Sequence, residues 1–301
     1  MTGSEELAGR FEEHRGRLRA VAYRMLGSLT EAEDAVQETW LKLSRAETDG
    51  IHNLGGWLTT VTGRVCLDLL RSRAARREEP MDATPGTFVP DPVLRPLSHL
   101  DDPAEEVLRA DSVGLALLVV LENLAPDERL AFVLHDMFAV PFDDIAPVVE
   151  RSPAATRQLA SRARRRVRGA TPSAEPDLGR QKEVLDAFLA ASRAGDFEAL
   201  LALLHPDVVL RADSGALVRG AAVSKAVQGA EAVAEQAMMF ARFAQAAELA
   251  LVNGSVGVVN AHGGRVRSVM GVTISDGRIT ALYILADPER LARLEVPGRA
   301  G

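Results

Sequence analysis

Residues 141–168, PFDDIAPVVERSPAATRQLASRARRRVR, decide how the chain is read. Phe142, Ile145, Ala146 and Val149 recur at helical spacing, which predicts a first short helix. Pro147 lies inside it, so that helix must be short, kinked or late in starting. Glu150 and Arg151 break the pattern. Ser152-Pro153 then offers a hydroxyl for free N–H groups and a ring already holding the helical φ, which starts a second helix. On it Leu159, Ala160, Ala163 and Val167 share one face, while Arg157, Gln158, Ser161, Arg162 and Arg165 share another.

Two helices joined by so short a turn form a helix-turn-helix, whose second helix enters the DNA major groove. The residue types suit that task. Arg157 and Arg162 can fork onto guanine, Gln158 can pair with adenine, and Ser161 can serve either. Arg164, Arg165, Arg166 and Arg168 read as phosphate contacts, which give affinity rather than sequence preference.

A net charge of −7 over 301 residues argues against a nucleic-acid binder until its distribution is inspected. Residues 101–150 sum to about −10 and residues 151–168 to about +7. The positive charge is focused on one helix, and the acidic stretch before it limits sticking to random DNA. The 47% hydrophobic content is that of a globular protein, and no apolar run approaches the roughly 20 residues that span a bilayer. With no signal core in MTGSEELAGRFEEHRGR, a cytoplasmic protein without a membrane partner is expected. Cys66 is the single cysteine, so no internal disulfide and no cysteine-based metal site can form; its apolar neighbours Val65, Leu67 and Leu69 predict a buried thiol.

Outward from the quoted stretch the chain falls into five pieces. Residues 1–78 form the first, which reads as helical from residue 10, with Phe11, Leu18, Val21, Ala22, Met25 and Leu26 on one stripe. Thr30 and Glu33 predict a capping box for EAEDAVQETWLKLSR, which turns Asp34, Gln37, Glu38 and Lys42 outward. A third helix starts near Trp57 and ends in a basic cluster of Arg71, Arg73, Arg76 and Arg77. Residues 79–102, with five prolines, predict an extended linker. Residues 103–170 hold a helix through Val107–Leu121, a second in PDERLAFVLHDMF and the helix-turn-helix, all expected to share a core. Residues 171–178 are a hinge. Residues 179–296 change character: two helices, a strand in HPDVVLRADSG, an alanine-rich helix over about 221–244, and three strand-like runs, AELALVNGSVGVVNAHGG, VRSVMGVTISDG and ITALYILAD. The fold class expected is therefore two all-α domains followed by an α+β domain with a curved sheet on helices.

The stretches AYRMLGSLTEAEDAVQETWLKL, GGWLTTVTGRVCLDLLRSR and SPAATRQLASRARRRV, in that order and spacing, resemble a bacterial extracytoplasmic-function (ECF) sigma factor: region 2, a linker, then region 4. Residues 179–296 resemble the SnoaL-like members of the NTF2-like superfamily, and a sigma core with such a tail is the sigma-J-type architecture. The resemblance implies core RNA polymerase and promoter DNA as partners, and no cofactor. It assigns Asp34, Gln37 and Glu38 to the β′ clamp helices and region 4 to the β flap. It places Trp57, Arg64, Arg71, Arg73 and Arg76 at the −10 element, where melting needs pockets for unstacked bases and cations for the single strand. Arg157, Gln158, Ser161 and Arg162 match positions that read the −35 element.

Relatives carry a DGGGK-like turn in the tail, here Asp213-Ser214-Gly215-Ala216-Leu217 without the lysine, and an NPDKL-like motif, here Asp287-Pro288-Glu289-Arg290-Leu291. The Trp-containing linker motif of some relatives is absent from FVPDPVLRP. The resemblance implies that the tail regulates the sigma core in place of an anti-sigma protein, with Asp213, Gly215, Asp287 and Pro288 as the regulatory residues. Two other functions compete with this one. A one-component regulator would need no polymerase-binding helix. An enzyme would need His205, Asp207, Asp213, His262 and Tyr283 to converge in the tail's pocket, since a general base must reach its substrate.

Overall fold

A computed structural model describes residues 3–46, 50–76, 88–97, 113–170, 175–215, 225–239, 241, 247–262 and 265–294. The chain divides into two compact units, residues 1–81 with 120–170 and residues 82–119 with 171–301.

The first unit is helical. Helices α1 (Gly3–Leu26), α2 (Leu29–Ser44) and α3 (Leu54–Arg76) bury Phe11, Leu18, Val36, Leu43, Leu54 and Leu58 in one cluster. The α2 cap differs from the expected box: Ser28, not Thr30, accepts from the Glu31 amide (3.5 Å), and Glu33 pairs instead with Arg15. Thr30 is already the second residue of the helix, so the capping position falls to Ser28, whose extended backbone (φ −118°, ψ 130°) turns its hydroxyl back to the first-turn amides. Thr39 Oγ1 meets Thr62 Oγ1 at 3.1 Å inside the α2–α3 contact.

After α4 (Leu115–Glu122) come α5 (Pro126–Phe132) and a π-turn, Val133–Met137. The short helix α6 (Phe142–Ile145) is ended by Pro147, as the ring requires. The chain reverses at Glu150 (φ 56°), and Ser152 caps α7 (Pro153–Ala170) through the Ala155 amide (3.3 Å). Gly63 of α3 leaves room for Leu130 and Leu134, either of which would lie 3.0 Å from a Cβ there. Burial pushes the Cys66 thiol far above its usual range, as expected of an enclosed side chain.

The second unit is a seven-stranded sheet in the order β1-β4-β5-β6-β7-β2-β3, with helices packed on one face. The helices are α8 (Leu178–Ala194), α9 (Phe197–Leu203) and α10 (Ala230–Met239). The strands are β1 (Leu94–Arg95), β2 (Leu204–Asp213), β3 (Lys225–Gln228), β4 (Ala247–Val252), β5 (Ser255–His262), β6 (Arg265–Ser275) and β7 (Arg278–Leu285). A short helix α11 (Pro288–Leu291) follows. Among the described residues, β2 and β7 are the one parallel pair. Leu185, Phe188, Leu200, Leu210, Val233, Val258, Val272 and Leu282 form its core.

Three expectations change here. The run 247–264 holds two strands, joined at Asn253-Gly254 with both φ positive (51° and 82°), a hairpin turn hidden inside an apolar run. Residues 225–228 of the expected alanine-rich helix are a strand, antiparallel to β2 and set off by Gly229. Residues 221–224, 240 and 242–244 of that expected helix lie outside the described residues. In the linker, Leu94 and Arg95 pair with Val252 and Leu251, so part of the proline-rich segment is an edge strand of the sheet. Prolines suit an edge, where no ladder donor is needed on the outer side.

The expected shared core of residues 103–170 also divides. Val113–Val119 group with the second unit: the Val113 carbonyl accepts from Asn253 Nδ2 (2.9 Å), and Leu115 Cδ1 lies where a Gly271 Cβ would stand (2.5 Å). Val107 and Leu108 lie outside the described residues.

Candidate nucleic-acid interface

Helix α7 presents the arginine face that its pattern predicts. Leu159, Ala160 and Ala163 are buried; Arg157, Gln158, Ser161, Arg162, Arg165, Arg166 and Arg168 are exposed, and Arg164 is half-buried. Acidic and aromatic residues of neighbouring elements set these side chains. Glu128 of α5, 7% exposed, accepts from Arg162 Nε (2.8 Å) and from Arg166 Nη1 (2.9 Å). Arg164 Nε donates to Asp136 (2.5 Å). Arg157 stands 5.6 Å over the Phe142 ring, which stacks on His135 at 3.7 Å between centroids. His135 Nδ1 donates to the Val140 carbonyl (3.0 Å) and so fixes that stack. Arg162, Arg164 and Arg166, expected as open DNA contacts, are therefore held by protein acids on one side and remain partly exposed on the other. Glu128 and Asp136 were not singled out by sequence, and Phe142 was read only as part of the apolar face of the first short helix; Glu128's only sign was the acidic first turn of α5.

The α2 surface is also open. Asp34, Gln37 and Glu38 are exposed beside Leu41, a large apolar side chain left 43% exposed. Glu38 pairs with Lys42 (3.2 Å) along the same face.

The α3 residues separate into three kinds. Arg64 is exposed. Trp57 is half-buried against the Phe11–Leu58 cluster, so its ring serves the core. Arg71 forms an ion pair with Asp127 (2.9 Å) and Arg73 with Glu31, so neither stands as an open cation here. The Arg76 side chain and Arg77 lie outside the described residues.

In the second unit the two motifs read separately in sequence meet. Asp213 ends β2, and its carbonyl accepts from the Ala286 amide beyond β7 (2.7 Å). Its carboxylate accepts from Arg290 Nη1 (2.8 Å), the Val89 amide (3.2 Å) and the Gly215 amide (3.1 Å). Asp287 caps α11 through the amides of Glu289 and Arg290, with Pro288 opening the helix. Gly215 turns with φ +76°, and a Cβ there would lie 2.6 Å from Asp287 Oδ2. Arg290, 17% exposed, reaches three ways: Nη1 to Asp213, Nε to Asp91 (2.7 Å) and Nη2 to the Val89 carbonyl (2.6 Å). Its guanidinium also lies 5.0 Å over the Phe88 ring. The FVPDP segment is thus clamped although it lacks the tryptophan; Ala216 and Leu217 are not among the described residues.

The five pocket candidates do not converge. His205 accepts the Asp207 amide in a local turn near the start of β2, whereas Asp213 ends that strand. His262 is exposed at the end of β5. Tyr283 alternates with the core residues Leu282 and Ile284, so it points away from the helix-covered face. Burial raises its pKa. Among the described residues there is no His, Cys, Asp or Glu cluster able to hold a metal, and no helix long and apolar enough to cross a membrane.

Comparison with known proteins follows this division. The sequence matches Sigma-70 region 2 over residues 10–76, Sigma-70 region 4 over 114–167 and a SnoaL-like domain over 185–282. It is 40% identical over 294 residues to the ECF RNA polymerase sigma factor SigJ of Mycobacterium tuberculosis, covering 93% of this chain and 91% of that one. A probable ECF sigma factor of the same species, SigI, is 33% identical over 299 residues, 97% of each chain. The crystal structure of M. tuberculosis SigJ superposes with a TM-score of 0.72 at 37% identity, covering 96% of this chain and all of that one.

Proposed function

This chain belongs to the ECF RNA polymerase sigma factors and carries a C-terminal SnoaL-like domain, and from that premise we propose how its surfaces divide the work of promoter-specific initiation. Asp34, Gln37 and Glu38, with Leu41 among them, form the docking face for the β′ clamp helices of core RNA polymerase. An exposed leucine inside an acidic, solvent-facing stripe supports that reading. Residues 103–170 act as region 4, bind the β flap and place α7 at the −35 element. Residues 1–78 act as region 2 at the −10 element, where exposed Arg64 is available directly. Arg71 and Arg73 would have to exchange their protein carboxylates for phosphates. The single observation that carries the account is the α7 face, with seven exposed polar or basic side chains beside a half-buried Arg164.

The tail is a regulatory part, not an enzyme. The scattered positions of His205, Asp207, Asp213, His262 and Tyr283 support this, because acid–base chemistry needs them within reach of one substrate. Its regulatory residues Asp213, Gly215, Asp287 and Pro288, joined by Arg290, act on residues 88–91 of the linker, which Asp213 and Arg290 hold directly. The tail thereby does work that a separate anti-sigma protein would otherwise do, and the whole chain acts in the cytoplasm.

The test is transcription from a promoter library by core polymerase with the full-length chain. Promoter-selective RNA is expected. DNA binding with no selective RNA would favour a one-component regulator instead. Arg290→Gln in the full chain should change the amount of RNA and leave the chosen promoters as they were. A changed promoter set would contradict a purely regulatory tail.

A further inference from the structure

Two of the arginines on α7 converge on the buried carboxylate of Glu128. A carboxylate this enclosed needs donors, and one arginine binding with two N–H groups would satisfy it. The structure does something else. Arg162 gives only Nε and Arg166 only Nη1, and their side chains stay 48% and 57% exposed. They lie four residues apart on one face of α7, so a single acid on α5 reaches both.

The choice of Nε matters chemically. Guanidinium is a planar fork, and fixing it at Nε sets the plane while leaving its far edge, the Nη1/Nη2 pair, outside that bond. That edge has the spacing to donate to O6 and N7 of a guanine. We propose that Glu128 is a positioning residue for sequence reading: it aims the outer edge of Arg162 at one guanine of the −35 element and leaves Arg166 for a phosphate. The inference rests on the assignment of α7 to the −35 element. Without the acid, Arg162 is a long side chain with many rotamers, and it would meet phosphate as readily as base. Specificity would fall more than affinity, because removing a negative charge next to DNA offsets part of the lost contact.

The experiment uses holoenzyme made with the full-length chain, and compares wild type, Glu128→Met, Arg162→Ala and the double variant on promoters randomised over the −35 element. Methionine keeps the volume and removes both acceptor oxygens, and the two arginines it leaves unpaired are about half exposed, so water can solvate them. Glu128→Met should lower the preference at one base pair about tenfold, the same base pair that Arg162→Ala flattens. In the Arg162→Ala background it should change that preference little further, since the two residues act as one unit. A misfolded fraction would reduce all promoters alike and leave the ratio between them intact, so the ratio separates aiming from mere stability. An unchanged profile for Glu128→Met, an even loss at every position, or simple additivity with Arg162→Ala overturns the inference while the −35 assignment stands. If Arg162→Ala itself leaves every base preference unchanged, the assignment of that arginine fails and this inference fails with it.

Discussion

Arginine and carboxylate meet in opposite proportions in the two units. At α7 one buried acid, Glu128, serves two arginines whose head groups remain about half exposed. At Arg290 one arginine, 17% exposed, serves two acids, Asp91 and Asp213, that are 8% and 12% exposed. The first arrangement leaves cationic surface for a polyanion. The second closes on itself, and what it closes on is backbone of the chain's own linker at Val89. The number of acids per arginine, and where the guanidinium edge faces, distinguishes a group meant for a partner from one meant for the fold.

The largest effect should come from the closed site. Arg290→Ala leaves two enclosed carboxylates without their cation and should cost about 3–5 kcal/mol of stability in the second unit, read from denaturant unfolding. A loss below about 1 kcal/mol would erase the contrast. At the open site, Arg162→Ala should weaken −35 recognition by about 1–3 kcal/mol, measured as the affinity ratio of matched to mismatched promoters. Its unfolding midpoint should move much less than that of Arg290→Ala. Gly215→Ala, which forces a Cβ into the left-handed region and against Asp287, should destabilise the second unit by about 1–3 kcal/mol. An unchanged midpoint would mean that the turn can relax away from α11. The smallest effect belongs to Arg165, exposed on the same helix. Arg165→Ala should weaken binding to all sequences alike and lower the salt slope by about one. A sequence-dependent loss would move Arg165 from phosphate contact to base reading.

The helical half was legible because its signals are local. Ser152-Pro153 starts α7 where the residue chemistry says, and Pro147 ends α6 as its ring demands. The exposed faces of α2 and α7 follow directly from period 3.6. The tail was legible in class and less so in detail. Asn253-Gly254 is a strong hairpin signal, but the apolar residues on both sides made one run of two strands. Leu94-Arg95 carries no strand pattern, and becomes one only because β4 offers an edge more than a hundred residues later in the chain.

The sites show the same limit. Asp213 and Asp287 were visible as motifs, whereas their meeting through Arg290 and Asp91 needs the folded backbone. Glu128 looked like an ordinary acid in a helix's first turn. Arg71 and Arg73 read as free cations because a sequence does not show that Asp127 and Glu31 stand opposite them. Charge counts along a chain report how much positive charge a helix carries, not which of it is already engaged.

The most direct test of the central claim is selective transcription by core polymerase and the full-length chain, from a library randomised at both promoter elements. It compares wild type with Arg157→Ala plus Arg162→Ala. The account predicts that preference over the −35 element collapses while preference over the −10 element stays. Intact preference at both elements, or a loss confined to the −10 element, would contradict it.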